Sequence, residues 1–259
     1  MDLKPHRSTY WLNAKAKRDD PVRHAAQEKE ICELYAQAPA LHEQGVHVIS
    51  ADEKTGIQAL ERAAPTLPMR PGREELREFE YIRHGTQCLT ANFEVATGNV
   101  IEPATISATR TEAEFAEHIR QTIAGAALEA RWIFILDGLN THFSESLVRL
   151  VAGLEDSTTK VPLELGVKGK DGILKNVESR RAFLSNADHR VRFVYTPKHC
   201  SWLNQVEIWF SILSRRALKR ASFRSVQELK TALVDFIAYF NRVLAKPFRW
   251  TYSGRPLTT

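Results

Sequence analysis

Cysteine is scarce in this chain. Only Cys32, Cys88 and Cys200 occur among 259 residues, odd in number and far apart, which argues against a disulfide framework and against a zinc site. Long apolar runs are also missing. No stretch of about 18 apolar residues is present, so no membrane span is expected. The opening Met1-Asp-Leu-Lys-Pro-His-Arg7 has none of the apolar core of a signal peptide. A reducing cytoplasm is the compartment these absences suggest. Internal repeats and low-complexity tracts are lacking too. Gly166-Val-Lys-Gly-Lys-Asp-Gly172 has glycines suited to cradling a phosphate but not the full signature or the strand–helix context of a nucleotide loop. A large surplus of one charge is absent: the net charge of +5 and pI near 9.1 tilt only mildly toward an anionic partner.

What is there is ordinary in bulk: 43% hydrophobic and 26% charged residues suit a soluble globular protein with one large domain, or one domain and an appendage. Residues 1 to about 45 are polar and helix-prone, with Ile31, Leu34 and Tyr35 at helical spacing between Pro21 and Pro39. They predict an arm or linker helix rather than a core element. Val46–Ala51 predicts a short strand ending at Asp52-Glu-Lys-Thr, and 85–93 and 99–106 two more strands joined by an Ala96-Thr-Gly-Asn turn. A helix is expected over 111–130, from the stripe Phe115, Ile119, Ile123. Trp132-Ile-Phe-Ile-Leu136 is a continuous apolar run, as in a strand covered on both faces, and ends at Asp137. A helix over 144–153, a polar insertion over 155–190, a strand over 191–195 and a last helix over 225–243 follow. Strands first, then helices alternating with buried strands, predict an α/β fold: a mixed sheet with helices packed on its faces.

The chemistry concentrates in acids. Asp52 and Asp137 each follow a strand; if those strands are neighbours, both carboxylates emerge at one sheet edge, where open α/β sheets build sites. Glu207 lies in Tyr195-Thr-Pro-Lys-His-Cys-Ser-Trp-Leu-Asn-Gln-Val-Glu-Ile-Trp-Phe210, read as a strand end, a Pro-containing turn and a helix capped by Ser201. Helical spacing puts Leu203 and Phe210 beside Glu207, an apolar setting in which a carboxylate needs a partner. The separations, 137 − 52 = 85 and 207 − 137 = 70, leave it to the fold to bring the three together. Converging carboxylates repel unless a cation intervenes. Oxygen donors suit Mg²⁺ or Mn²⁺, and two such ions roughly 3.5–4 Å apart serve in-line phosphoryl displacement. Each acid also has a plainer reading: a solvated turn for Asp52, turn chemistry before a helix for Asp137, a structural arginine partner for Glu207.

Three segments together are more specific. Ile49-Ser-Ala-Asp-Glu-Lys-Thr-Gly-Ile-Gln58, Ile135-Leu-Asp-Gly-Leu-Asn-Thr-His142 and the 195–210 stretch resemble the catalytic blocks of mariner-type transposases, above all their bacterial insertion-sequence branch numbered six-thirty. The resemblance extends from Tyr10-Trp-Leu-Asn13 to Trp250-Thr-Tyr-Ser-Gly-Arg255. It implies a ribonuclease H-like fold in which Asp52, Asp137 and Glu207 form an Asp-Asp-Glu triad holding two divalent ions, Mg²⁺ or Mn²⁺. The implied activity is cleavage at the inverted repeats of a mobile element and joining of the freed 3′-hydroxyls to target DNA, typically at TA. The implied partners are transposon ends and target DNA, with a homodimer in synapsis and no membrane, in a bacterial cytoplasm and at the nucleoid when active. The expected division is a helical arm over 1–45, a catalytic domain over 46–245 with the 155–190 insertion, and a tail over 246–259. Relatives carry helix-turn-helix modules ahead of this domain, so repeat recognition is expected to be lost or supplied by another polypeptide; their interval between the second and third acids is about half as long, the surplus here being the 155–190 insertion.

Around the triad, Asn140 and His142 match the motif beyond the second Asp. His142 is a candidate phosphate or water contact, or a structural hydrogen bond from the turn; Asn204 is a candidate to orient Glu207 or touch DNA. Lys198 and His199, just upstream, are further candidates for DNA contact or support of the triad. Lys168 and Lys170, with Lys175, Arg180 and Arg181, and Arg215 and Arg216, with Lys219, Arg220 and Arg224, are basic clusters that track phosphates or merely face solvent. A hydrolysis-only nuclease of the same fold and a silent fragment that binds DNA or a partner are the rival readings.

Overall fold

The computed structural model describes residues 19–159 and 163–252. The resemblance boundaries at Tyr10–Asn13 and Ser253–Arg255, with residues 1–18 of the arm and 253–259 of the tail, lie outside them. Helix α1 (Pro21–Glu43) opens with the Asp20 carboxylate accepting the Arg23 N–H at 2.9 Å and with Pro at the first helical position, where no N–H is needed. It is followed by β1 (Val46–Arg62), β2 (Tyr81–Glu94), β3 (Val100–Ser107), α2 (Glu112–Ala124), β4 (Arg131–Leu136), α3 (Glu145–Thr159), α4 (Val177–Leu184), β5 (Val191–Tyr195), α5 (Val206–Leu213) and α6 (Val226–Tyr239).

The sheet order is β3-β2-β1-β4-β5. β1, β2 and β3 pair antiparallel, whereas β4 and β5 run parallel to β1. The mixed sheet predicted from element order is therefore present, and period-two alternation divides its residues between two helical layers. Ile49, Phe134, Leu136 and Phe193 face α2, α3 and α4, packing on Phe115, Leu147 and Leu184. On the other face Val48, Ile135 and Val194 meet α1, while Leu89, Ala91 and Phe93 meet α5 and α6. Phe134 and Phe193 are fully buried, and each such side chain contributes roughly 2–3 kcal/mol.

Three expectations need correction. First, β1 does not stop at Asp52. Its parallel pairing with β4 ends at Ser50↔Ile135, but antiparallel pairing with β2 carries it on to Arg62, with a register shift after Lys54. Polar, Gly-containing Asp52–Gly56 reads as a turn only if cross-strand partners are ignored. Second, α1 is packed, not free: Ile31, Leu34, Tyr35 and Ala38 are buried, and the Tyr35 hydroxyl donates to the Leu203 carbonyl at 2.7 Å. Third, the polar 155–190 segment contributes to the core. Leu174 and Leu184 are fully buried, and Asn176 caps α4 by accepting the Ser179 N–H at 2.8 Å.

Candidate active site

The parallel register sets the site. Continued two residues beyond Ser50↔Ile135, it puts Asp52 opposite Asp137, at the C-terminal end of β4 and beside the point where the sheet changes from parallel to antiparallel. Asp52 is 7% exposed. Burial, and then the neighbouring Asp137 charge, push its carboxyl up to about 7, while the Glu53 N–H, donating at 2.7 Å, and His142 pull it back. Asp137 is more open and has better partners. Burial works against its charge, but the hydrogen bond and charge of His142, the Leu139 N–H at 3.0 Å and the charge of Arg110 hold it below the usual carboxylate range. Two adjacent acids thus sit in opposed electrostatic settings.

His142 is the hub on the α2 side. It is fully buried, with Nδ1 2.8 Å from Asp137 Oδ1 and Nε2 3.0 Å from Glu53 Oε2. Burial alone would favour the neutral ring, yet the two carboxylates raise it to about 10, so both nitrogens donate at neutral pH. The ring thus makes structural hydrogen bonds back to the Asp137 turn and across to Glu53. The ring also packs on Phe115, centroids 4.5 Å apart. Glu53, whose only signal in the sequence is adjacency to Asp52, brings a carboxylate oxygen within 4.8 Å of both the Asp52 carboxylate and the His142 ring.

On the other face Asn204 does the tying. It is fully buried, donates to the Ala51 carbonyl at 2.9 Å, approaches Asp52 Oδ2 at 3.5 Å and accepts from the Ser50 hydroxyl. Ser50 Oγ in turn accepts the Val206 N–H at 2.8 Å, satisfying one of the orphan donors at the start of α5. Asn204 therefore orients Asp52 rather than Glu207, and Ser50, not Ser201, serves the helix start. The helix itself begins later than the sequence suggested. Ser201–Leu203 is a separate 3₁₀ turn and Asn204 has ψ 109°, so Leu203 and Glu207 do not share a continuous helical face. Glu207 is exposed in the first turn of α5; the apolar setting expected for it is not found.

Asn140 is exposed in the turn after Asp137. Lys198 and His199 line a cleft of about 780 Å³ together with Asp137, Arg181 and Arg23, so both candidates stand beside the second acid. His199 has φ 65° and is the only non-glycine residue with positive φ among those described, a strained position of the kind that clusters at functional sites. Arg181 lies over the rings of Tyr195 and Phe143 at 5.3 and 5.8 Å. Lys168 and Lys170 are not drawn into this cleft. Lys168 lies 3.7 Å from both Glu112 and Glu145, and Arg180 donates to the Phe143 and Leu174 carbonyls. Arg180 thus ties the insertion to the core, while Lys168 stays half exposed beside its two carboxylates. The Gly166–Gly172 loop is closed by its own Asp171, whose carboxylate accepts the Val167 N–H at 2.7 Å. Arg215 and Arg216 are exposed on a π-helical turn after α5. Arg215 shares a groove of about 460 Å³ with Lys54, Arg62 and Lys219.

A five-stranded mixed sheet of this order, flanked by helices, is the ribonuclease H-like fold. Residues 47–230 match the family described as DDE superfamily endonuclease, and the chain belongs to that family. Several solved structures share the fold, two of which follow. The Mos1 mariner paired end complex with Mn is 15% identical, with a TM-score of 0.52, covering 90% of this chain and 59% of the other. A pre-cleavage Mos1 transpososome is 13% identical with the same TM-score and coverage. The chain thus spans 59% of the length of these relatives. No curated protein matches it. Among the described residues no helix is long and apolar enough to cross a membrane.

Proposed function

We propose that this chain is the catalytic part of a DNA transposase, which cleaves phosphodiester bonds at the ends of a mobile element and joins the freed 3′-hydroxyls to target DNA. What supports the reading is that β1 and β4 are neighbours and bring the Asp52 and Asp137 charges close enough to interact, in a DDE endonuclease chain. Asp52, Asp137 and Glu207 are the proposed triad, and two Mg²⁺ or Mn²⁺ ions its cofactors. The donors fit: Asp52 is a buried carboxyl held near 7 by burial and by Asp137, as expected of an oxygen-lined anionic pocket awaiting countercharge, and hard oxygen donors suit these ions. When bound, the cations supply charge neutralisation and polarise phosphoryl oxygens.

The chain's own residues do the positioning. His142 fixes Asp137 through Nδ1–H while its Nε2–H is held by Glu53, so it orients a carboxylate and has no free lone pair to accept a proton. Asn204 holds the Asp52 strand and the entry to α5 in one hydrogen-bonded unit, fixing the backbone from which Glu207 projects. Lys198, His199 and Arg181 border the cleft at Asp137 and are assigned to the DNA phosphates. The proposed partners are transposon ends and target DNA, two copies of the chain acting together in synapsis, in the cytoplasm. The test is a labelled duplex carrying the inverted repeats of the parent element, incubated with Mg²⁺ or Mn²⁺. Wild type should cut and join, and Asp137→Asn should do neither. Hydrolysis without joining would make the chain a nuclease. Binding without any cutting would make it a silent fragment.

A further inference from the structure

At the opposite pole of the sheet from Asp52, His42 at the end of α1, His47 at the start of β1 and Glu94 at the end of β2 converge on one point. His47 Nδ1 lies 2.6 Å and His42 Nδ1 3.2 Å from the same oxygen, Glu94 Oε1. His47 is five residues before Asp52, about 17 Å along the strand, so this cluster is separate from the acid pair. We propose that His42, His47 and Glu94 form a zinc site, with water as the fourth ligand.

The donor set is right for the ion. Two imidazoles and one carboxylate suit Zn²⁺ and are a poor match for Mg²⁺, which prefers oxygen alone. The spacing is close to right. Tetrahedral zinc with bonds near 2.0–2.1 Å has ligand–ligand edges of about 3.3 Å. The His42–Glu94 separation already meets that, and the His47–Glu94 pair needs to open by about 0.7 Å. The His42 Nδ1 atom is shielded from solvent and has no hydrogen bond of acceptable angle despite lying near the carboxylate, so this donor atom is not satisfied by the protein. The supporting shell is present: Thr97 Oγ1 donates to the other Glu94 oxygen at 2.9 Å, and the His47 ring stacks on Trp132 at 4.3 Å. An entry path exists too, since the His42 and His47 side chains are 37% and 21% exposed. The three ligands come from three elements, so a bound ion would tie the end of α1 to both strands. No cysteine is needed, which is how a chain so poor in that residue can hold zinc.

The test uses the tag-free chain, stripped with chelator and then titrated with Zn²⁺ and with Co²⁺ as a spectroscopic probe. One equivalent of Zn²⁺ should bind and raise the melting temperature, and Co²⁺ should give the visible absorption of a tetrahedral site. His42→Gln, at a partly exposed helix end, should weaken binding at least about 10-fold while leaving the zinc-free melting temperature unchanged, and His47→Gln should do the same to the Co²⁺ spectrum. Cys200→Ser should bind Zn²⁺ as wild type does. Less than one equivalent in wild type, or equal binding by both histidine variants, would overturn the proposal. So would loss of binding in Cys200→Ser, because that would assign the ion to the buried His24–Glu28–Cys200 group.

Discussion

Replacing Asp52 by Asn should make the cation-free protein more stable and the cation-bound protein less so. The Asp52 carboxyl is held near 7 against an ordinary value of 3.8, by burial first and the Asp137 charge second. A group raised in the folded state contributes stability that is complete below its unfolded value and is lost as pH climbs through the folded one. The loss therefore accrues between about pH 4 and pH 7 and is complete above that. A shift of roughly three units corresponds to on the order of 4 kcal/mol at most. The amide keeps the Glu53 N–H bond to Oδ1, made at 2.7 Å, and gives up only the long contact to Asn204 at 3.5 Å. A net gain of about 2–3 kcal/mol at about pH 8, shrinking toward zero near pH 4, is expected from urea unfolding in chelator. Saturating Mn²⁺ should reverse the order, stabilising wild type and leaving the variant unmoved. If Asp52→Asn is no more stable than wild type in chelator at about pH 8, the strained-carboxylate account of this site fails.

Other substitutions probe the supports. His142→Ala leaves Glu53 and Asp137 facing each other without a bridging cation and should cost about 3–5 kcal/mol in thermal unfolding near neutral pH. Because His142 is raised from 6.5 to about 10, wild type should lose stability as pH rises across that interval and His142→Gln should lose much less, read by the same melts. Asn204→Leu strands the Ser50 hydroxyl and the Ala51 carbonyl, so a loss of about 1–3 kcal/mol per group is expected, with cleavage falling further than stability predicts. Leu174→Ala should cost about 2–5 kcal/mol in urea unfolding if residues 163–190 belong to the core; a loss under about 1 kcal/mol would make that segment an appendage.

Most of the sheet was legible because its signals are local. Trp132–Leu136 is too continuously apolar to be anything but a covered strand or a short buried helix, and Val191–Tyr195 was bounded to the residue. What misled were polar residues whose partners are distant in sequence. Asp52–Gly56 reads as a turn until residues 89–91 of β2 pair with Asp52–Lys54. The start of α5 was misread because its organiser, Ser50, lies 156 residues away; a serine inside the apolar run 48–51 was the available hint. The closeness of Asp52 and Asp137 follows from the two apolar runs that precede them lying side by side, whereas the His142–Glu53 bridge spans 89 residues and has no local signature. Glu207 was placed in an apolar setting by extending helical periodicity through Asn204, where the backbone is not helical.

The most direct test is the count of Mn²⁺ ions bound to the purified chain, followed by electron paramagnetic resonance at about pH 8, for wild type and the three single variants Asp52→Asn, Asp137→Asn and Glu207→Gln. Loss of binding in all three is the result expected of one shared cation centre. Retention of the full complement by Glu207→Gln would leave the two aspartates as a pair and contradict the triad.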